Sequence, residues 1–369
     1  MTQPPQGPTN PQEPVASHPP AAPRPQEPAA PRPQEPVAPQ TPAADSAQAP
    51  QAEPDPLREA FTGVRTEIAK AVVGQDQAVT GMLIALLCQG HVLLEGVPGV
   101  AKTLLVRSFA AAVSLDSSRV QFTPDLMPSD VTGSLVYDAS ASDFSFRPGP
   151  VFTNILIADE INRTPPKTQS ALLEAMEEHQ VSVGGRSRKL PEPFLVAATQ
   201  NPVEYEGTYP LPEAQLDRFL FKLVLNLPER DHEFEILDRH ARGFDAGSLA
   251  AAGLRPVADA ELIGRAREAI AKIYIAPQII TYIVDLARAT RQTPSLALGV
   301  SPRGATRMLG AARAHAWLSG RHYVTPDDVK ALAHMSLSHR VILRPEAQMD
   351  GLDVGQVLDS IIATTEVPR

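Results

Sequence analysis

From Leu57 onward, apolar residues return every three or four positions, at Leu57, Phe61, Val64, Ile68 and Val72, which predicts an amphipathic helix. A second helix is expected from about Asp76 to Gln89. Beyond it the spacing changes, and short apolar runs alternate with helical stretches. The runs His91 to Leu94, Arg119 to Phe122, Asn154 to Ala158, Phe194 to Thr199 and Leu220 to Leu227 read as strands. The uninterrupted apolar run at Asn154 to Ala158 reads as a central strand, buried on both faces of a parallel sheet. Two further segments alternate and turn back on themselves. Gly133 to Tyr137 and Phe144 to Arg147 flank the turn-formers Asp138 to Asp143, and Gln180 to Val183 is joined to Arg186 to Leu190 by Gly184-Gly185. From about Val257 the periodicity is helical throughout, with helices expected near 259–272, 277–291, 303–319, 326–339 and 352–364. Together these elements predict a three-layer α/β domain on a parallel sheet over residues 57–230, followed by a linker and a smaller all-α lid over 231–369.

The first 56 residues belong to neither. They hold 18 of the 38 prolines and no Phe, Trp or Tyr, and Pro23-Arg24-Pro25-Gln26-Glu27-Pro28 recurs as Pro31-Arg32-Pro33-Gln34-Glu35-Pro36. Such a segment cannot bury enough surface to offset its ordering entropy, so a disordered N-terminal tail is expected over 1–56.

Candidate chemistry concentrates where strands end. Glu95-Gly96-Val97-Pro98-Gly99-Val100-Ala101-Lys102-Thr103 follows the first strand and leads into the helix that opens at Leu104. Strand, glycine loop and helix form the context of a P-loop, here with Ala101 at the position of its second glycine. Gly96 and Gly99 let backbone N–H groups curl round a phosphate at a helix N-terminus. Lys102 would neutralise the β- and γ-phosphates of ATP, and the Thr103 hydroxyl would ligate Mg²⁺. Asp159 and Glu160 close the apolar strand at its carboxyl end, the edge at which open α/β sheets bind ligands. Asp159 is placed to hold Mg²⁺ and Glu160 to polarise an attacking water. Asn201 ends the next buried strand as a candidate sensor of the γ-phosphate. In the lid, Arg303 sits at a helix start, where a cation opposes the helix dipole, and an anion such as a nucleotide phosphate would explain it.

Composition narrows the setting. One cysteine, Cys88, excludes a disulfide framework within the chain and fits a reducing cytoplasm. The longest apolar stretch, Gly81 to Cys88, is too short to span a bilayer, and no secretory signal opens the sequence. A net charge of −9 argues against a nucleic-acid backbone as the main partner.

In this order the motifs resemble those of the MoxR family of AAA+ ATPases, over about residues 60–365. The most specific stretches are Gly149 to Phe152, Asp159 to Arg163, Thr199-Gln200-Asn201-Pro202, Glu206 to Pro210, and Leu211-Pro212-Glu213-Ala214-Gln215-Leu216-Asp217-Arg218-Phe219. The resemblance implies that Gly96 to Thr103 is Walker A, that Asp159 and Glu160 close Walker B, and that Asn201 is sensor 1. It makes Arg303 sensor 2 and Arg218 an arginine finger reaching a neighbouring subunit, hence a homo-oligomeric ring with a hexamer as the family expectation. Val73 and Gly74, within Val72 to Gln75, would lie against the adenine. The two hairpins would face the pore. A client protein and a partner with a von Willebrand factor A domain are further expectations from the family. Three alternatives remain at this stage: a magnesium-chelatase-like subunit, a nucleic-acid-translocating motor, and a scaffold that binds nucleotide without turnover.

Overall fold

The computed structural model describes residues 55–140, 142–201 and 207–368. The proline-rich segment through Pro54, and residues 202–206 of the family signature, lie outside the described residues. The first described residue is Asp55, whose carboxylate accepts from the Leu57 amide at 3.1 Å and caps α1 (Pro56–Ala69). Proline follows at the first helical position, where its missing N–H costs nothing.

In chain order come α2 (Asp76–Leu87), β1 (Val92–Glu95), α3 (Lys102–Ala112), β2 (Ser117–Gln121), α4 (Pro128–Thr132) and the β3–β4 hairpin (Gly133–Asp138, Asp143–Pro148). Then follow β5 (Ile155–Asp159), α5 (Pro166–Glu178), the β6–β7 hairpin (Gln180–Val183, Arg186–Lys189), β8 (Leu195–Gln200), α6 (Glu213–Leu216) and β9 (Phe221–Val224). Strands β2, β5, β8, β1 and β9 form one sheet in that spatial order, every pair parallel. Successive side chains leave opposite faces of a strand, and the core divides accordingly. Leu94, Ile155, Ile157, Leu195 and Ala197 pack into one apolar cluster, while Leu93, Leu156, Ala158, Val196 and Ala198 pack into the other. The first is covered by α1, α2 and α3, and the second by α5.

Helix α7 (Arg230–Ala241) stands where the sequence suggested only a linker. The lid comprises α8 (Ala260–Ala271), α9 (Pro277–Gln292), β10 (Leu296–Leu298), α10 (Pro302–Leu318), α11 (Pro326–Leu337), β11 (Ile342–Leu343), α12 (Pro345–Met349) and α13 (Val354–Thr364). Its core is continuous with the first cluster of the sheet. Phe61 of α1 meets Trp317 of α10 edge to face at 5.6 Å, and Arg267 of α8 donates to the Leu86 carbonyl at 2.7 Å. Among the described residues, no helix is long and apolar enough to cross a membrane.

His91, directly before β1, ties the lower end of the sheet together. Its Nδ1 accepts from the Val196 amide at 3.0 Å, so the proton is on Nε2, which donates to the Met176 carbonyl at 3.0 Å. Burial pushes the imidazole down to about 4. An unfolded histidine titrates near 6.5, so below that pH the unfolded chain takes up a proton that the native state refuses. Stability is therefore full above about pH 6.5 and falls on acidification towards pH 4. His339 adds to the same slope, because burial also holds it well below its ordinary value. Denaturant unfolding at pH 7 and pH 5 is expected to differ by about 2 kcal/mol from His91 alone. A His91→Gln variant should flatten the profile, and equal slopes would contradict this account.

Candidate active site

The P-loop lies between the upper end of β1 and the start of α3. Gly99 takes φ +90°, a torsion that favours glycine, and a Cβ on Gly96 would stand 2.7 Å from the Leu225 carbonyl oxygen. Ala101 adopts the left-handed region at φ 61°, which costs an alanine about 1 kcal/mol relative to glycine. The strain sits immediately before α3, whose first residues, Lys102 and Thr103, present the helix N-terminus. Lys102 Nζ donates to the carbonyls of Gly96 at 2.5 Å and Val97 at 3.1 Å, folding its cation over the loop.

Sheet register brings the other upper-edge residues beside it. Glu95 pairs with Gln200, so Asn201 leaves β8 one residue above the end of β1, and it is buried. β5 runs on the other side of β8. The buried Asp159 carboxylate accepts from Thr103 Oγ1 at 3.3 Å and from Thr199 Oγ1 at 3.2 Å, and Arg119 Nε approaches it at 2.6 Å. Glu160 is left-handed at φ 57°, held there by its own amide donating to Thr199 Oγ1 at 2.9 Å. Its carboxylate accepts from Gln121 Nε2 at 2.6 Å and pairs with Arg163 Nε at 3.1 Å. Lys102, Thr103, Asp159, Glu160 and Asn201 thus converge on one edge of the sheet.

A pocket opens beside the loop, and its walls include residues that sequence reasoning missed. Val72, Val73, Val100 and Leu104 form one side, while Ile236, Arg239, His240 and Phe244 close the other. Gly74 lies in the adjoining cavity. Arg239 fixes the two walls by donating to the carbonyls of Ala69 and Lys70, both at 2.9 Å. Acids at the start of α7 (Asp231, Glu233) and Arg239 and His240 at its end complement a helix dipole, which is the sequence signal that marks this helix.

Arg218 and Arg303 do not join this group. Arg218 Nε lies 3.1 Å from one oxygen of Glu177, and Arg303 Nη1 lies 2.9 Å from the other. The anion beside Arg303 is therefore a side chain of the same subunit. Glu177 lies in the last turn of α5, which descends from the Asp159 edge to the lower end of the sheet, where Met176 meets His91. The Leu220 amide donates to the His91 carbonyl at 2.8 Å, placing the Arg218 segment at that lower end too. The four-residue β1 separates the two levels by about 10 Å of strand.

Two family models match the chain: the ATPase family associated with various cellular activities over residues 91–221, and the AAA lid domain over 288–361. Chaperone MoxR1 of Mycobacterium tuberculosis is 44% identical over 312 residues, covering 82% of this chain and 81% of that protein. The uncharacterised Bacillus subtilis protein YeaC is 48% identical over 301 residues, 82% of this chain and 92% of its own length. A crystal structure of a candidate ATPase from Cytophaga hutchinsonii superposes with a TM-score of 0.77 at 39% identity, covering 85% of this chain and 96% of that one. With the parallel sheet, the P-loop edge and the helical lid in place, the chain belongs to the MoxR family of AAA+ ATPases.

Proposed function

We propose that the protein hydrolyses ATP with Mg²⁺ at sites completed between subunits of a ring, hexameric as in the family, and uses the cycle to remodel or mature a client protein. The observation that carries this reading is the division of the machinery. Lys102, Thr103, Asp159, Glu160 and Asn201 gather at the upper edge of the sheet, while Arg218 and Arg303 share Glu177 at the lower end. A subunit whose catalytic groups are divided between its two ends needs a neighbour to complete a site.

Within one site, the loop amides of Gly96 to Thr103 and the Lys102 ammonium would hold the phosphates, and Val73, Gly74 and the α7 wall would hold the base. Thr103 and Asp159 offer a hydroxyl and a carboxylate 3.3 Å apart, an all-oxygen set that fits Mg²⁺ once Arg119 swings aside. Bound there, Mg²⁺ supplies charge neutralisation across the phosphate oxygens. Glu160 accepts a proton from the attacking water after exchanging its bonds to Gln121 and Arg163, and Asn201 orients that water. Because Arg303 shares an anion with Arg218, both act on the neighbouring subunit's phosphates. The planar, permanently charged guanidinium suits phosphoryl charge spread over several oxygens.

Two measurements test the reading. Lys102→Ala is expected to weaken ATP binding by about tenfold or more, since charge-assisted hydrogen bonds are lost. Unchanged affinity in titration calorimetry would remove Lys102 from the site. For the client, a pull-down from native lysate with the Glu160→Gln variant and ATP is expected to recover a protein with a von Willebrand factor A domain. Recovery of chelatase subunits or nucleic acid in its place would overturn the remodelling assignment.

A further inference from the structure

Arg340 is a cation buried in the short 3₁₀ turn Ser338–Arg340 that follows α11, a position to which none of the nucleotide chemistry above assigns a role. Its side chain is 1% exposed, so a full charge has been taken out of water and must be repaid by its partners. All but one of those partners lie across the domain boundary, in the segment that carries Arg218. Arg340 Nε donates to Asp217 Oδ1 at 2.7 Å, Nη2 to the carbonyls of Phe219 at 2.7 Å and Asp217 at 3.4 Å, and Nη1 to Leu220 at 3.1 Å. The remaining acceptor is the carbonyl of Ser336 on α11. His339 donates from Nε2 to the Phe219 carbonyl at 3.1 Å. The other oxygen of Asp217 accepts from Ser301 at 3.2 Å, and Ser301 caps α10, the helix on which Arg303 stands two residues later.

The residues immediately before and after Arg218 are thereby fastened to two separate parts of the lid. The Arg218 side chain itself rests on Glu177, beside Arg303. A guanidinium that must meet a phosphate on another subunit can be set only by its backbone, and that backbone is held from the lid. We propose that the Arg340–Asp217 pair, with Ser301 and His339, is a positioning clamp that fixes Arg218 for hydrolysis in the neighbouring subunit and makes that hydrolysis answer to the placement of the donor's lid. Arg340 and Asp217 touch no phosphate and act through Arg218, so the proposal rests on the reading of Arg218 given above.

Mixed rings of full-length protein separate this role from a general effect on folding. Arg218→Ala subunits keep Glu160 but offer no finger, whereas Glu160→Gln subunits offer a finger but cannot hydrolyse. Mixing the two should restore hydrolysis, carried out at Arg218→Ala sites facing Glu160→Gln fingers. Asp217→Asn added to the Glu160→Gln subunits is expected to lower the restored rate by about 10- to 100-fold, the effect of an ångström-scale misplacement. Asp217→Asn added to the Arg218→Ala subunits is expected to leave it within about twofold, since those subunits offer no finger to be positioned. Arg340→Lys, which keeps the charge and loses the fork, should show the same asymmetry with ATP affinity unchanged. Equal losses with the substitution on either side would make the clamp merely structural, and no loss on either side would refute it. If the parental mixture restores nothing, the finger assignment for Arg218 fails first and the clamp falls with it.

Discussion

Replacing Arg218 by alanine is expected to reduce steady-state ATP hydrolysis by about a thousandfold or more, while ATP binding to the isolated subunit changes little. The magnitude is that of an arginine finger, which stabilises charge developing on the transferred phosphoryl group. The separation of the two effects follows from position. Arg218 lies at the lower end of the sheet, paired with Glu177 at 3.1 Å, while the P-loop opens from the upper end of β1. On the proposed reading it serves the neighbouring subunit's nucleotide, so its loss should appear in kcat rather than in binding. Arg303→Ala should behave alike, because it occupies the other oxygen of the same carboxylate. Initial-rate kinetics with parallel calorimetry decide the matter. A variant with normal kcat and weakened ATP affinity would show that Arg218 serves its own site after all.

The same arrangement explains what the sequence could and could not disclose. The grouping of the P-loop, the Asp159-Glu160 pair and Asn201 was legible because each is a local event: a strand ends and its next residues stand at the carboxyl edge of the sheet. The helices of the lid were legible because each buries one stripe at a period of 3.6 residues. Glu177 was not, since nothing along α5 distinguishes it from Glu174 or Glu178 until folding brings Arg218 and Arg303 to it from 41 and 126 positions away. Arg340 was invisible for the same reason, as its acceptors lie some 120 residues upstream. The three-residue β10 and two-residue β11 are too short to carry a period. Helix α7 buries none of its residues fully, so its apolar spacing was weak and only its terminal charges marked it. The turn at Ala101 reads in sequence as a small replacement, whereas its φ of 61° reveals the torsional load on the loop.

Replacing Glu160 by glutamine is expected to leave ATP binding intact and to slow hydrolysis by about 10²- to 10⁴-fold, the usual contribution of a positioned general base. The change is isosteric, and the surroundings tolerate it. The backbone of Glu160 is held at φ 57° by the Thr199 hydroxyl, a bond made by the amide and not by the side chain. The Gln121 side chain, 2.6 Å from Glu160 Oε2, can pair with an amide oxygen as with a carboxylate, and only the ion pair to Arg163 at 3.1 Å is given up. What the amide cannot do is take a proton from water. ATP-loaded rings of this variant should therefore persist, which is why it serves both as the client trap and as the finger donor in mixed rings. Asp159→Asn provides the contrast, since Asp159 faces Thr103 and its loss should raise the Mg²⁺ concentration needed for half-maximal rate. A Glu160→Gln variant that turned over normally, or that lost ATP binding along with turnover, would place the base elsewhere on the sheet edge.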